Sequence, residues 1–267
     1  MAISTMDALI AALTASTAQL KALVKRVSLT TAAGGVHSLW TCSGVPTAGS
    51  APGAAATCTS ATTGAVTFTD PGGSNVLYLA RLAVMAGNPG ASLTLYDRLV
   101  HSSGLDGTST SSQTVNTPTF PNRGGTTGEG VEAFVECYSD LGATSRTLTV
   151  TYTDNDGNTG QTTTVTIPST LRAGRILPII PAAGDKGFRS IESVQLNLST
   201  GTAGNFGVTL ARRIAFMPVG RPGVGVAFDG ISLGLPRIYA GACLWFVAHT
   251  TATTMGDVFP TLTLAEG

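Results

Sequence analysis

The segment of this chain nearest to a catalytic motif is Gly230-Ile231-Ser232-Leu233-Gly234. A G-x-S-x-G run works when a strained strand-to-helix turn holds the serine hydroxyl free beside a histidine. Here Pro236 follows the run, no strand–helix alternation surrounds it, and His249 comes before Asp257, against the acid-then-histidine order of that motif. The expectation is a glycine-flanked loop, not a hydrolase. Asp154, Asp156 and Asn158 occupy the first three ligand positions of a calcium loop, but Thr159 stands where the loop needs Gly and Val165 where it needs Glu. A hairpin turn is the simpler reading. His37, His101 and His249 are far apart, each among small or apolar residues, and read as packed or capping groups. Cys42, Cys58, Cys137 and Cys243 form no C-x-x-C and have no His at metal spacing, so no zinc site is expected. The expectation is four unpaired thiols acting as small apolar residues, with a Cys42–Cys58 disulfide closing a small loop as the alternative.

Glu132 and Glu136 lie four apart on a predicted strand and so share a face. They are either a carboxylate pair or solvated edge charges, and edge charges are the expectation. Arg172, Arg175, Arg212 and Arg213 are read as a small basic area whose forked guanidiniums suit carboxylates on a neighbouring chain. Neither G-x-x-x-x-G-K-[ST] nor G-x-G-x-x-G occurs, so nucleotide binding has no support. No catalytic, cofactor-binding or metal-binding residue is predicted, and a non-enzymatic role is expected.

Composition limits the function further. Of 267 residues only 11% are charged, with 15 Lys+Arg against 15 Asp+Glu, while 43% are hydrophobic and Gly supplies 33. A typical domain carries about 25% charged residues. A neutral chain without a basic block is a poor nucleic-acid ligand, and no apolar run is long enough for a membrane helix. Asp7 sits where a secretory signal needs positive charge, so export by that route is not expected. Surface polarity must come from Thr, Ser, Asn and Gly, which suits a protein packed against neighbours.

The elements follow from periodicity. Residues 4–27 read as a helix capped by Ser4 or Thr5, with Lys21, Lys25 and Arg26 near its C-terminus. Met6, Leu13, Leu20 and Val27 recur every seven residues, with Leu9, Ser16 and Leu23 between them, so Met6, Leu9, Leu13, Leu20, Leu23 and Val27 are the predicted assembly interface. Removing residues 1–27 is expected to leave a folded body. Residues 43–65 contain almost no large apolar side chain and read as an extended arm or irregular loop. Strands are predicted at 76–85, 92–100, 130–138, 147–153, 161–167, 190–198 and 207–217, with two more near 242–249 and 258–264. The clearest pair is 147–153 with 161–167, where Leu148, Val150 and Tyr152 alternate with threonines across a turn rich in Asp, Asn and Gly. The predicted class is mainly β: an antiparallel β-sandwich or jelly-roll-like body with one N-terminal α-helix and a C-terminal β-hairpin region. The predicted divisions are a helix (1–27), an arm (28–75), a sandwich (76–220) and C-terminal strands (221–267).

Leu95-Tyr96-Asp97-Arg98-Leu99, Gly104-Leu105-Asp106-Gly107, Gln113-Thr114-Val115-Asn116 and Thr200-Gly201-Thr202-Ala203-Gly204-Asn205-Phe206-Gly207-Val208-Thr209-Leu210 give residues 30–220 a texture that resembles structural proteins of tailed bacteriophages, in particular those of head-gene modules. The resemblance implies a capsid decoration, or cement, protein: a homo-oligomer, with a trimer favoured, that bridges subunits of the major capsid protein on the virion surface after assembly in the host cytoplasm. It implies no cofactor, nucleic acid or membrane as partner. The alternative is a tail, baseplate or fibre component with a host-adhesion role.

Overall fold

The computed structural model describes residues 3–87 and 91–267. It opens with helix α1 (Met6–Thr14) and the short strands β1 (Gln19–Ala22), β2 (Val24–Arg26), β3 (Gly35–Ser38), β4 (Ser43–Val45) and β5 (Ala56–Thr57). Long strands follow: β6 (Leu77–Ala86), β7 (Ala91–His101), then short β8 (Gln113–Thr114), β9 (Glu132–Ser139), β10 (Arg146–Asp154) and β11 (Gln161–Ile167). The chain closes with β12 (Arg175–Ile179), β13 (Phe188–Leu196), β14 (Asn205–Val219), β15 (Val226–Asp229), β16 (Arg237–Ile238), β17 (Leu244–Thr250) and β18 (Val258–Glu266). Each of the nine predicted strands is present, with ends displaced by a few residues at most.

The pairings among the described strands are antiparallel and build three layers. In the middle, β14, β9, β12, β3, β17 and β7 pair in sequence and β7 pairs back to β14, closing a six-stranded barrel with β5 attached to β7. On one side lies the sheet β11-β10-β13-β8. On the other lies a seven-stranded sheet in which β6 and β18 are central, β15 and β16 pair with β6, and β1 and β2 pair with β18. Strand alternation explains how one barrel serves two neighbours and itself. On β7, Leu93 and Leu95 join the apolar layer against the seven-stranded sheet, together with Leu82, Leu262 and Phe246. Beyond a register shift, Leu99 and Val100 join the layer against the four-stranded sheet, together with Leu148, Val150, Val194 and Val208. The intervening Thr94, Tyr96 and Arg98 turn inward, so the barrel is filled by side chains, as small barrels are. The mainly β, antiparallel prediction holds, with facing sheets packed across apolar layers. The closed barrel is an addition to it.

Three sequence expectations need correction. The helix stops at Thr14, not at residue 27 (Met1 and Ala2 lie outside the described residues). Thr14 Oγ1 bonds back to the carbonyls of Ile10 and Ala11, both at 3.1 Å. Ser16 and Thr17 then favour turn over helix, because hydroxyl side chains compete for the backbone. Residues 19–26 gain more by pairing with β18 and β4. β1 and β2 are integral to that sheet, so residues 1–27 supply two of its strands and do not form a separate helical unit.

Residues 43–65 are not a free arm. They wrap Trp40, whose Nε1 donates to the Ser50 carbonyl at 3.1 Å, and a Cβ on Gly49 would meet the indole at 2.2 Å. The small side chains permit this close approach, with Cys58, Ala65 and Val66 buried. The C-terminal strands form no hairpin of their own: β17 belongs to the barrel and β18 to the seven-stranded sheet.

Candidate functional site

Helix α1 carries an apolar surface that the fold leaves exposed. Thr5 caps it, its Oγ1 accepting from Ala8 N at 3.1 Å, and Asp7 complements the positive end of the helix dipole. Leu9 and Ala12 bury one face against Ala80 and Ala265 of the seven-stranded sheet, flanked by Ile3 and Leu235. The helix has a second apolar face. Met6, Ile10 and Leu13 share one side by their i, i+4, i+7 spacing and are 51%, 53% and 37% exposed. Leu20 on β1 and Ile231 in the turn after β15 add exposed apolar area. A notch of about 170 Å³ opens between the helix and that turn, lined by Met6 and Leu9 on one side and Ile231 and Leu235 on the other. Scattered apolar residues on a surface are ordinary; a rimmed group of them marks an interaction site.

The structure divides the six predicted interface residues. Met6, Leu13 and Leu20 are exposed. Leu9 is buried in the chain's own core, and Leu23 and Val27 pack against the large apolar layer beneath the seven-stranded sheet. Ile10 and Ile231 are exposed apolar neighbours that the sequence reading did not include. A strict heptad frame skips Ile10, although its spacing from Met6 is helical. Nothing local in the sequence places Ile231 beside the helix.

The barrel interior holds the other chemical concentration. Arg98 and Glu136 are fully buried and paired through Nη1–Oε1 at 3.2 Å and Nη2–Oε2 at 2.6 Å. Tyr138 and Thr209 hydroxyls also donate to Glu136, at 3.2 and 2.5 Å. The guanidinium sits between the rings of Trp40 (4.4 Å) and Trp245 (4.8 Å). Burial pushes the Glu136 carboxyl up most strongly, but the Arg98 charge together with hydrogen bonds from Arg98, Ser38 and Thr209 outweighs it and holds the group below the usual range. Glu136 is therefore a buried ion-pair partner, not the solvated edge charge expected. Glu132 shares its face but has its own partners, Tyr96 OH at 2.9 Å and Arg213 at 2.9 Å.

The remaining candidates are placed as follows. The four thiols are unpaired and buried, and Cys58 neighbours Cys243, not Cys42. Burial pushes the Cys58 thiol up, but hydrogen bonds from Cys243 and His101 and the Arg98 charge bring it down to about 5. His37 is buried beside Arg175, and burial with that charge lowers it to about 4; its Nε2 accepts from Ala32 N at 3.2 Å. His101 packs edge-on to Trp40, and His249 meets the Ser92 hydroxyl at 3.2 Å. Ser232 lies in an exposed turn where its N–H and hydroxyl bond Asp229. The Asp154 carboxylate is taken up by the N–H groups of Asp156 and Asn158, each at 2.9 Å, which closes the hairpin loop. Arg172 pairs with Asp140 at 2.7 Å and Arg175 lies across from His37, so neither joins Arg212 and Arg213. Among the described residues no three of His, Cys, Asp or Glu converge to hold a metal ion, and no helix is long and apolar enough to cross a membrane.

No family model matches the chain, and no curated protein matches its sequence. Among solved structures, the chain is similar to that of infectious bursal disease virus, Gx strain, at 10% identity over 93% of this chain and 81% of the other, with a TM-score of 0.21. It is likewise similar to the VP2 subviral particle of infectious bursal disease virus, at 10% identity over 93% and 80%, with a TM-score of 0.21.

Proposed function

We propose that this chain is a non-enzymatic structural protein of a virus particle, and more specifically a decoration or cement protein on the capsid of a tailed bacteriophage. In this reading its jelly-roll-like β body is a rigid spacer and α1 is its contact element. The observation that carries the proposal is the second apolar face of α1. Leu9 and Ala12 fix the helix to the sheet, so Met6, Ile10 and Leu13 are held in place at little further entropic cost to binding. The resemblance of residues 30–220 to phage head-module proteins and the hydroxyl-rich, low-charge surface support the same reading. Repeated weak contacts from one homo-oligomer, with a trimer favoured, would add to firm attachment on a lattice of major capsid protein subunits.

The test has two parts. Mass spectrometry of purified virions should give a copy number comparable to that of the shell protein. A copy number matching a single vertex or tail would favour the tail or fibre reading, and absence from particles would end the virion reading. Replacing Met6, Ile10 and Leu13 together by Ser should lower particle affinity by about a hundredfold or more, taking at least ~1 kcal/mol of burial per side chain. Thermal stability should hardly move, because these side chains already face solvent.

A further inference from the structure

Next to the helix notch, the turn-and-strand segment from Ile231 to Tyr239 passes from an apolar surface to a basic one. Ile231 and Leu235 line the notch. Pro236, Arg237 and Tyr239 line a separate recess of about 270 Å³ beside the barrel, which Arg123, Arg212, Arg213 and Asp97 also line. That volume is near the lower end for small-ligand sites.

The charges there do not cancel. Arg123 is neutralised by Asp97, Nε to Oδ2 at 2.8 Å, and Arg213 by Glu132 at 2.9 Å. Arg212 holds only backbone carbonyls at long range, those of Arg123 (3.4 Å) and Glu129 (3.3 Å). Arg237 stacks its guanidinium on the Tyr239 ring at 4.4 Å. Stacking uses the face of a guanidinium and leaves its in-plane N–H donors unspent. Among the described residues, neither Arg212 nor Arg237 has a carboxylate partner. Two forked cations therefore border one recess without a counter-charge.

We propose that this recess receives a carboxylate side chain from the protein chain that covers the apolar face of α1. The inference rests on reading that face as an interface and specifies the partner's chemistry: an Asp or Glu beside an apolar segment. Three features favour a protein carboxylate. Paired in-plane N–H donors match its two oxygens. Ile214, Pro236 and Ala242 give an apolar wall for a methylene stem. The 231–239 segment borders both surfaces, so one partner segment can reach both. The chain's zero net charge provides no long-range field to gather polyanions.

The experiment is NMR titration of the full chain, following the Arg Nε–Hε signals, with N-acetylglutamate N-methylamide as one probe and inorganic phosphate as the other. Saturable shifts at Arg212 and Arg237 are expected with the glutamate probe and not with its glutamine analogue. Arg237→Gln should weaken the glutamate probe by about five-fold, the upper end for an exposed ion pair. Among the described residues the Arg237 side chain makes no hydrogen bond, so this variant should melt as the parent does, and Arg212→Gln provides a second reading. Absence of saturable shifts, or phosphate saturating the same signals at lower concentration than the glutamate probe, overturns the proposal. So does undiminished particle binding by the double variant Arg212→Gln/Arg237→Gln when the helix-face variant has lost it. If the glutamate probe binds as expected but the wild-type chain does not associate with particles, the virion reading fails and the carboxylate site stands.

Discussion

Replacing Glu136 by Gln tests whether the barrel interior is the dry, closed element its geometry describes. The substitution keeps the shape and removes the charge, leaving the Arg98 guanidinium buried between Trp40 and Trp245 without a counter-ion. Breaking one side of a buried pair costs about 3–5 kcal/mol. For a chain somewhat larger than 250 residues, each kcal/mol shifts the melting temperature by about 2–4 °C, so a loss of roughly 10 °C is expected. Arg98→Met should cost a similar amount, because Glu136 loses both its charge partner and a bidentate hydrogen bond. The double variant Arg98→Met/Glu136→Gln removes both charges together, so neither leaves the other buried and unpaired. It should therefore be more stable than either single variant, with a coupling energy above about 2 kcal/mol. Denaturant unfolding followed by the fluorescence of Trp40 and Trp245 reads all four proteins. Single losses below about 1 kcal/mol, or additive losses in the double variant, would refute the reasoning, since water reaching the lumen would then solvate the orphaned charge.

Two further predictions concern the N-terminus and acid stability. Removing residues through Thr14 should cost about 2–4 kcal/mol, from the buried Leu9 and Ala12, and leave a cooperative melt; removing residues through Val27 should abolish cooperative unfolding by circular dichroism, because β1 and β2 leave β18. His37 is held near pH 4 in the folded chain against about 6.5 unfolded, so between those values the unfolded state binds more protons. Its contribution to stability is complete above about pH 6.5 and is lost as the pH falls toward 4, and His37→Gln should flatten denaturation midpoints measured across that window.

The long strands were legible because their burial alternates locally. Leu148, Val150 and Tyr152 face the core while Thr147 and Thr149 do not, and the turn at residues 154–160 fixes the register with β11. Closure of the barrel was not legible. It depends on β3 and β12, four and five residues long, whose pairing brings residues 35–38 against residues 175–176. No local pattern reports a contact at that separation. The seven-residue spacing of Met6, Leu13, Leu20 and Val27 misled for a related reason. A heptad spacing is a helical signal only where the intervening residues accept helix, and Ser16 and Thr17 interrupt it. Beyond them, strand pairing with β18 decides the conformation. A correct local period was therefore carried too far along the chain: Met6 and Leu13 share an exposed helix side, while Leu23 and Val27 pack inside. The four-residue spacing of Glu132 and Glu136 correctly placed both on one face, but that the face is the inside of a barrel is a tertiary fact.

The low charge of the sequence becomes sharper in the folded chain. Arg98, Glu136, Asp97 and Arg123 are among its thirty charged residues, and all four are buried, as is Lys25. The outer surface is thus poorer in charge than the composition implies. β11, at the end of the four-stranded sheet, carries no charged residue in Gln-Thr-Thr-Thr-Val-Thr-Ile. Proteins that remain apart in solution commonly guard such edges with lysine, proline or a bulge. An uncharged edge, a hydroxyl-rich exterior and an apolar stripe fixed on a docked helix are liabilities for an isolated monomer. They cease to be liabilities when the chain spends its life against neighbours, and this ties the unusual composition to the assembly role proposed for α1.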